Sequence, residues 1–195
     1  MKNTDRLCIF TKAGVMYQVK ADKIPRCRMR DKGTLIHTLC KMDNQDEALL
    51  YVCFEELFEA MLMFTTKSGY IKLVSGVEFE TSRLQVASTK LDAGDELAGV
   101  SLLSAADILA DNRKVILLTD GGLSLGFPVS EVSEFKKTSR GVKAIALEGE
   151  DLVAYAAAVE QTAETFCFKG RTLNARRVRS RHRAARGHKA SLDVQ

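Results

Sequence analysis

The chain has 195 residues, 46% of them hydrophobic, enough to build a core in one large domain or two small ones. With two prolines and no Trp, nothing before the last thirty residues is biased enough to be called disordered, and no apolar run nears the ~20 residues of a helical membrane span. The net charge of +4 is split: positions 169–190 hold nine basic residues and no acid, while residues 1–168 hold 20 basic and 24 acidic residues, an asymmetry that points to an acidic partner, most often nucleic acid.

In chain order, the first element is the stretch FTKAGVMY at 10–17. Val15 to Lys20 alternates branched or aromatic residues with polar or flexible ones, the period of a half-buried strand, and Gly14 stands where a hairpin turn needs a positive φ. The pattern returns. Thr11-Lys-Ala-Gly14 is followed by Thr66-Lys-Ser-Gly69, Thr119-Asp-Gly-Gly122 and the looser Phe168-Lys-Gly-Arg171, at steps of 55, 53 and 49 residues. A period near fifty is that of propeller blades. A second landmark follows each copy: Met42-Asp43, Leu91-Asp92, Leu147-Glu148 and Leu192-Asp193. After the first three comes an apolar strand, at 48–54, 97–103 and 152–159. One unit therefore reads as strand, turn, strand, polar loop, strand, acidic turn, strand.

The prediction is an all-β, propeller-like fold of about four four-stranded blades spanning 5–195, at roughly 5–60, 61–112, 113–162 and 163–195, the last incomplete. Residues 33–39, which contain His37, are read as a strand, and 55–63 and 105–112 as stretches that are helical instead. The five cysteines, Cys8, Cys27, Cys40, Cys53 and Cys167, are scattered without a C-x-x-C pair, which points to reduced thiols. With no signal-like segment at the N-terminus, a cytoplasmic, nucleoid-associated protein is expected.

A basic loop recurs between the second and third strands of a unit. The first unit carries Arg26, Arg28, Arg30 and Lys32, and the third carries Lys136, Lys137, Arg140 and Lys143. The fourth carries Arg176, Arg177, Arg179, Arg181, Arg183, Arg186 and Lys189, whereas the second has only Arg83 and Lys90. A lone charge run is usually a solvated face, but solubility does not require three runs at one phase of a repeat. Regularly spaced phosphates do, and ten contacts to them would give a slope of log affinity on log salt of roughly −9. The loops have no aromatic ladder for single strands and no helix suited to a major groove, so backbone contact with bent duplex is expected. A scaffold that docks an acidic protein through its arginine-rich end is the alternative.

No catalytic constellation stands out. His37 reads as a half-buried strand residue, and His182 and His188 extend a positive surface. No H-x-x-x-H, D-x-D-x-D-G, G-x-x-x-x-G-K-[ST] or G-x-S-x-G motif occurs, so no catalytic residue, metal or cofactor is assigned.

The stretches LCIFTKAGVMYQVKADKIP with KGTLI, and VILLTDGGLSLGFPVSEVSEFKKTSRGVKAI, resemble blades of the C-terminal domain of bacterial type IIA topoisomerase A subunits, those of DNA gyrase or topoisomerase IV. The resemblance covers 5–195 and rests on the T-x-x-G hairpins, the Ile24-Pro25 and Phe127-Pro128 strand ends and the K/R-G loops. It implies a β-pinwheel whose blades exchange strands and whose basic rim bends duplex DNA toward a cleavage core. The implied partners are double-stranded DNA, the remainder of the topoisomerase's DNA-cleaving polypeptide, and the companion ATPase polypeptide. The family's cleavage tyrosine follows an arginine, whereas Tyr17, Tyr51, Tyr70 and Tyr155 follow Met, Leu, Gly and Ala, so an accessory domain is implied, with no turnover of its own. The gyrase Q-R-R-G-G-K-G box is met only by TSRGVKA at 138–144 and AARGHKA at 184–190. That departure favours topoisomerase IV-like activity, or a box elsewhere in the parent protein.

Overall fold

Every T-x-x-G motif closes a β-hairpin in the computed structural model, which describes residues 5–189 and Asp193. β1 (Arg6–Thr11) pairs antiparallel with β2 (Val15–Lys20), β4 (Ala60–Thr66) with β5 (Tyr70–Ser75), and β8 (Arg113–Thr119) with β9 (Leu123–Pro128). In each turn the glycine amide donates to the threonine carbonyl at 3.0 Å. Those glycines sit at φ of 72, 80 and 77°, which side chains with a Cβ resist. The looser fourth copy joins β12 (Thr165–Phe168) to β13 (Arg171–Asn174).

The acids three residues past each of the first three landmarks have a local purpose. Asp46, Asp95 and Asp151 accept hydrogen bonds from the hairpin-turn amides of Ala13, Ser68 and Gly121 at 3.1, 3.1 and 2.7 Å. Glu96 adds an ion pair to Lys67 at 2.6 Å, and Glu47 pairs likewise with Lys12. Two loops far apart in sequence are thereby stitched together. Of the fourth landmark only Asp193 is described, bridging to Leu173 on β13; Leu192 lies outside the described residues.

After each of the first three landmarks comes a third strand beside the hairpin: β3 (Ala48–Cys53), β7 (Leu97–Ser104) and β11 (Val153–Glu160). These are the innermost edges of the sheets. β7 and β11 run so close that a Cβ on Gly99 would stand 2.0 Å from the Ala156 carbonyl oxygen, and the Ala158 amide donates to Ser101 Oγ at 3.0 Å.

The fourth strand of each sheet comes from the next unit. β6 (Gln85–Ala87) completes the first sheet, giving the order β3-β1-β2-β6, and β10 (Val142–Lys143) completes the second as β10-β5-β4-β7. β14 (His188–Lys189) completes the third as β11-β8-β9-β14, and the fourth sheet is the β12-β13 pair. The four consecutive strands read for a unit are thus divided: in the second, third and fourth units the third of them, β6, β10 and β14, is lent to the preceding sheet, the exchange that the resemblance implied. The fold is all-β and propeller-like, with exchanged strands on the outer edges.

This exchange explains why the stretch around His37 is not the expected strand. Residues 36–40 form a short helix, α1 (Ile36–Cys40). Among the described residues no sheet precedes the first unit, so the segment has no edge to join. It folds instead over the outward face of the first sheet, packing Ile36 and Leu39 against Ile9, Tyr17, Val19 and Met42. The stretches read as helical form α2 (Phe54–Phe58) and α3 (Ala105–Ala110). α2 stops short of the expected 63 because Ala60 begins β4, whose pairing on both sides outweighs helix propensity.

Apolar layers fill the gaps between sheets. Phe10 packs edge-on against both Phe64 and Phe79 between the first two, with the Phe10 and Phe79 centroids 5.2 Å apart. Leu103, Val115, Leu117, Phe127 and Val153 fill the next gap, and Ile116, Phe166 and Leu173 the last. Burial pushes the Cys8 thiol in this core up to about 12, which keeps it protonated and inert.

Candidate nucleic-acid interface

Strand exchange decides where the basic loops go. Before β10, the Ser133–Phe135 segment runs beside β5: the Leu73 amide donates to the Ser133 carbonyl at 3.1 Å, and the Phe135 amide to the Leu73 carbonyl at 2.8 Å. The Lys136–Gly141 loop then turns on the outer edge of β5 before Val142 pairs back with Ile71. The arginine-rich segment repeats this on β9. There the Gly126 amide donates to the Arg179 carbonyl at 3.0 Å, the Arg181 amide to the Gly126 carbonyl at 2.8 Å, and His188 pairs with Ser124.

These two loops, on neighbouring sheets, touch. The Ala184 amide donates to the Ala144 carbonyl at 2.8 Å, and Arg183 donates through its guanidinium to the Lys143 carbonyl at 2.7 Å. The third and fourth basic runs thus form one continuous outer edge. The first run stays apart. Arg26, Arg28, Arg30 and Lys32 lie in a fully exposed loop whose described hydrogen bonds are the Arg28–Asp31 turn alone. The poorly charged loop of the second unit, with Arg83, lies against the first sheet, where the Gln18 amide donates to the Leu84 carbonyl at 2.9 Å.

The expected site residues separate into two groups. Arg183 is committed inward, donating through Nε to the Glu131 carbonyl at 3.0 Å while its amide donates to the Glu131 carboxylate at 2.7 Å. Lys137 donates to the Glu78 carbonyl and lies over the Phe79 ring. Arg140 stacks on Tyr70 with its guanidinium carbon 3.8 Å from the ring centroid and pairs with Asp92 at 2.7 Å. Arg176 pairs with Glu164 at 2.5 Å and Arg186 with Glu148 at 3.0 Å, both pairs well exposed. Arg177 is exposed on the 3-10 turn after β13.

Lys136, Lys143, Arg179, Arg181 and Lys189 are exposed and make no side-chain hydrogen bond or ion pair among the described residues. Their charge is felt locally: the His188 imidazole is held below its ordinary value by desolvation and then by Arg181, Arg179 and Arg186 beside it. Its Nε2 is buried without a partner among the described residues.

One organising residue escaped the sequence reading. Lys72, in the middle of β5, is 1% exposed. Its Nζ donates to the carbonyls of Lys136, Lys137 and Ser139 at 3.3, 2.9 and 2.7 Å. Burial lowers its pKa from 10.5 to about 8, with Glu78 opposing the shift. A lysine in an alternating strand reads as solvent-facing, and no short-range pattern marks it otherwise.

Tyr17, Tyr51, Tyr70 and Tyr155 all lie in strands, and burial raises the hydroxyl pKa of Tyr17 and Tyr155. Among the described residues no three His, Cys, Asp or Glu side chains cluster closely enough to hold a metal ion.

Known proteins share this architecture. The model of the DNA gyrase C-terminal domain, β-propeller, matches residues 5–37, 60–104 and 113–160. The chain is 31% identical over 150 residues to the DNA gyrase A protein of Chlamydia pneumoniae, covering 75% of this chain and 17% of that protein. It is 30% identical over 153 residues to the DNA topoisomerase 4 A protein of Staphylococcus epidermidis, covering 76% and 18%. Among solved structures it resembles the C-terminal domain of DNA topoisomerase IV, with a TM-score of 0.80 at 22% identity, over 97% of this chain and 59% of that one. The chain spans less than a fifth of the length of these curated relatives.

Proposed function

This chain belongs to the DNA gyrase C-terminal domain family, and from that membership we propose that residues 5–195 act as one duplex-binding module that bends DNA through its phosphates, with little sequence preference. The observation that carries the reading is the joined outer edge of the second and third sheets. There Lys136, Lys143, Arg179, Arg181 and Lys189 stand exposed, without partners among the described residues, around two loops locked together by Arg183. A duplex laid along that edge meets five unneutralised cations on rigid backbone, backed by a mostly acidic body that favours the edge over the faces. Each phosphate neutralised releases counterions, so five contacts give a slope of log affinity on log salt of about −4.5. The separate Arg26–Lys32 loop adds cations only where the duplex curves far enough to reach it.

In this role the module carries no chemistry. It presents a DNA segment to the cleavage core supplied by the rest of the DNA-cleaving polypeptide, with the companion ATPase polypeptide driving strand passage in the cytoplasm. The four tyrosines lack the preceding arginine of a cleavage site and are built into strands.

A gel-shift titration with linear duplexes of unrelated sequence at two salt concentrations tests the reading. Affinity falls with salt for every sequence, and Arg179→Ala with Arg181→Ala weakens all of them alike while the protein stays folded. Salt-independent binding, or an affinity for an acidic protein that exceeds that for duplex, would count against it.

A further inference from the structure

The gaps between sheets close differently at the end where α2 and α3 lie. In the first gap the 3-10 turn Gly76–Phe79 sits directly against α2: a Cβ on Gly76 would stand 1.7 Å from the Leu57 carbonyl oxygen, and Leu57 and Phe79 are fully buried. The 53-residue step between hairpins carries Gly76 to Val129 and Phe79 to Val132. A branched side chain at Val129 rules out so close an approach, and Val132 fills less space than a phenyl ring. In the second gap a cleft of about 570 Å³ therefore stays open over Met61, Leu73, Ile108 and Val132. Ile108, the fourth residue of α3 as Leu57 is of α2, is only partly buried, and Leu109 on the lip is 87% exposed. The lip is held in place. The capping box of Ser104 with Asp107 and the Asp107–Arg113 pair at 2.8 Å fix one end of α3, and Gln161 Nε2 donates to the Asp111 carbonyl at 2.8 Å at the other. The Asp111 and Glu134 carboxylates on the rim make no hydrogen bond or ion pair among the described residues.

An apolar cleft with two free carboxylates on its rim suits an apolar side chain flanked by cations, and this chain carries one. Met29 stands between Arg28 and Arg30, fully exposed, in the loop of the first basic run, whose described hydrogen bonds are its own turn alone. We propose that the cleft receives the Arg28–Arg30 stretch of a second copy of this chain, with Met29 seated on Leu73, Ile108 and Val132 and the two arginines facing Asp111 and Glu134. An unbranched thioether adapts to an irregular apolar cavity. The exposed ion pairs fix which segment enters and in which direction, and add little strength. Loop and cleft are different surfaces, so the contact is head-to-tail and links copies in rings or open series instead of two-fold pairs. Only one short loop is covered, which makes the association weak, in the range of about 0.1 mM. The inference does not depend on the duplex reading, and a loop seated in a neighbouring copy is withdrawn from any duplex.

Sedimentation velocity without DNA, at protein concentrations from about 10 µM to about 1 mM, brackets that range and tests the proposal. The wild type is expected to gain mass as concentration rises, and to gain less in high salt. Two variants each disable one side of the contact. Met29→Ser keeps the cleft, and Leu109→Lys with Glu134→Lys keeps the loop; each lowers the association about tenfold, as for the loss of one buried apolar side chain. The replaced residues are exposed, so both variants keep the wild-type fold, which circular dichroism melts check. Mixing the two variants restores association but stops it at pairs, because the mixture offers one working loop for each working cleft. A wild type that stays monomeric throughout would overturn the proposal. So would variants that associate like the wild type, or a mixture that stays monomeric or grows beyond pairs.

Discussion

Cations in this protein are sorted by what lies around them rather than by where they stand in a basic run. Arg183 sits amid arginines in the sequence, yet its guanidinium reaches two backbone carbonyls and works as a fastener between loops. Lys72 reads as an ordinary strand lysine and is the most enclosed cation among the described residues, at 1% exposure. Its altered titration gives a direct check. Below pH 8 both folded and unfolded chains carry the Lys72 proton. Between about 8 and the unfolded value of 10.5 the folded chain releases a proton that the unfolded one keeps, so this residue's contribution to stability rises with pH across that window and is lost as pH falls through about 8. Denaturant unfolding of wild type and Lys72→Met from pH 7.5 to 10.5 is expected to show the wild type gaining on the variant as pH rises. Parallel profiles would mean that burial does not lower the amine.

At the scale of elements, the lent strand is the unit that matters. Gly141 opens β10 at a φ of 91°, and a Cβ there would lie 2.5 Å from the Ile71 carbonyl oxygen, against backbone that cannot yield. Gly33 holds the matching place in the first unit, at a φ of 67° but in open space. Gly141→Ala is accordingly expected to destabilise by about 2 kcal/mol or more by prising β10 off the second sheet. Gly33→Ala costs about 1 kcal/mol from backbone strain alone. Denaturant midpoints of the two variants measure the difference, and equal losses would contradict the assignment of β10. The hairpins were legible because Thr11, Gly14 and their counterparts act over four residues, and local spacing reports local geometry. So was the recurrence of the acidic landmark; that carboxylates three residues beyond it cap turns some 30 residues away was not. Which sheet the third strand joins came from the resemblance and not from the residues, because Val142–Lys143 alternates identically whether it pairs within its own unit or with β5. The first unit went further astray: an extended segment without an edge to join turned into α1.

For the whole molecule, charge and topology act together. Exchange carries the loops to the outer edges, and the sheets' inner strands converge where Gly99 meets Ala156. The third and fourth runs thereby merge into one edge, and the first stands off as a separate cationic loop. The phase of the basic runs was visible in the sequence. Their unequal use was not, because ion pairs such as Arg140 with Asp92 and Arg186 with Glu148 join residues 48 and 38 positions apart. On the proposed function, the cations of this joined edge bend a stiff duplex, at a deformation cost of a few kcal/mol offset by added phosphate contacts. The most direct measurement is energy transfer between dyes at the two ends of a linear duplex as the protein is added at low salt. Transfer should rise on binding and fall back when Arg179 and Arg181 are both replaced by alanine. A duplex that binds tightly while its ends stay as far apart as in free DNA would contradict the account.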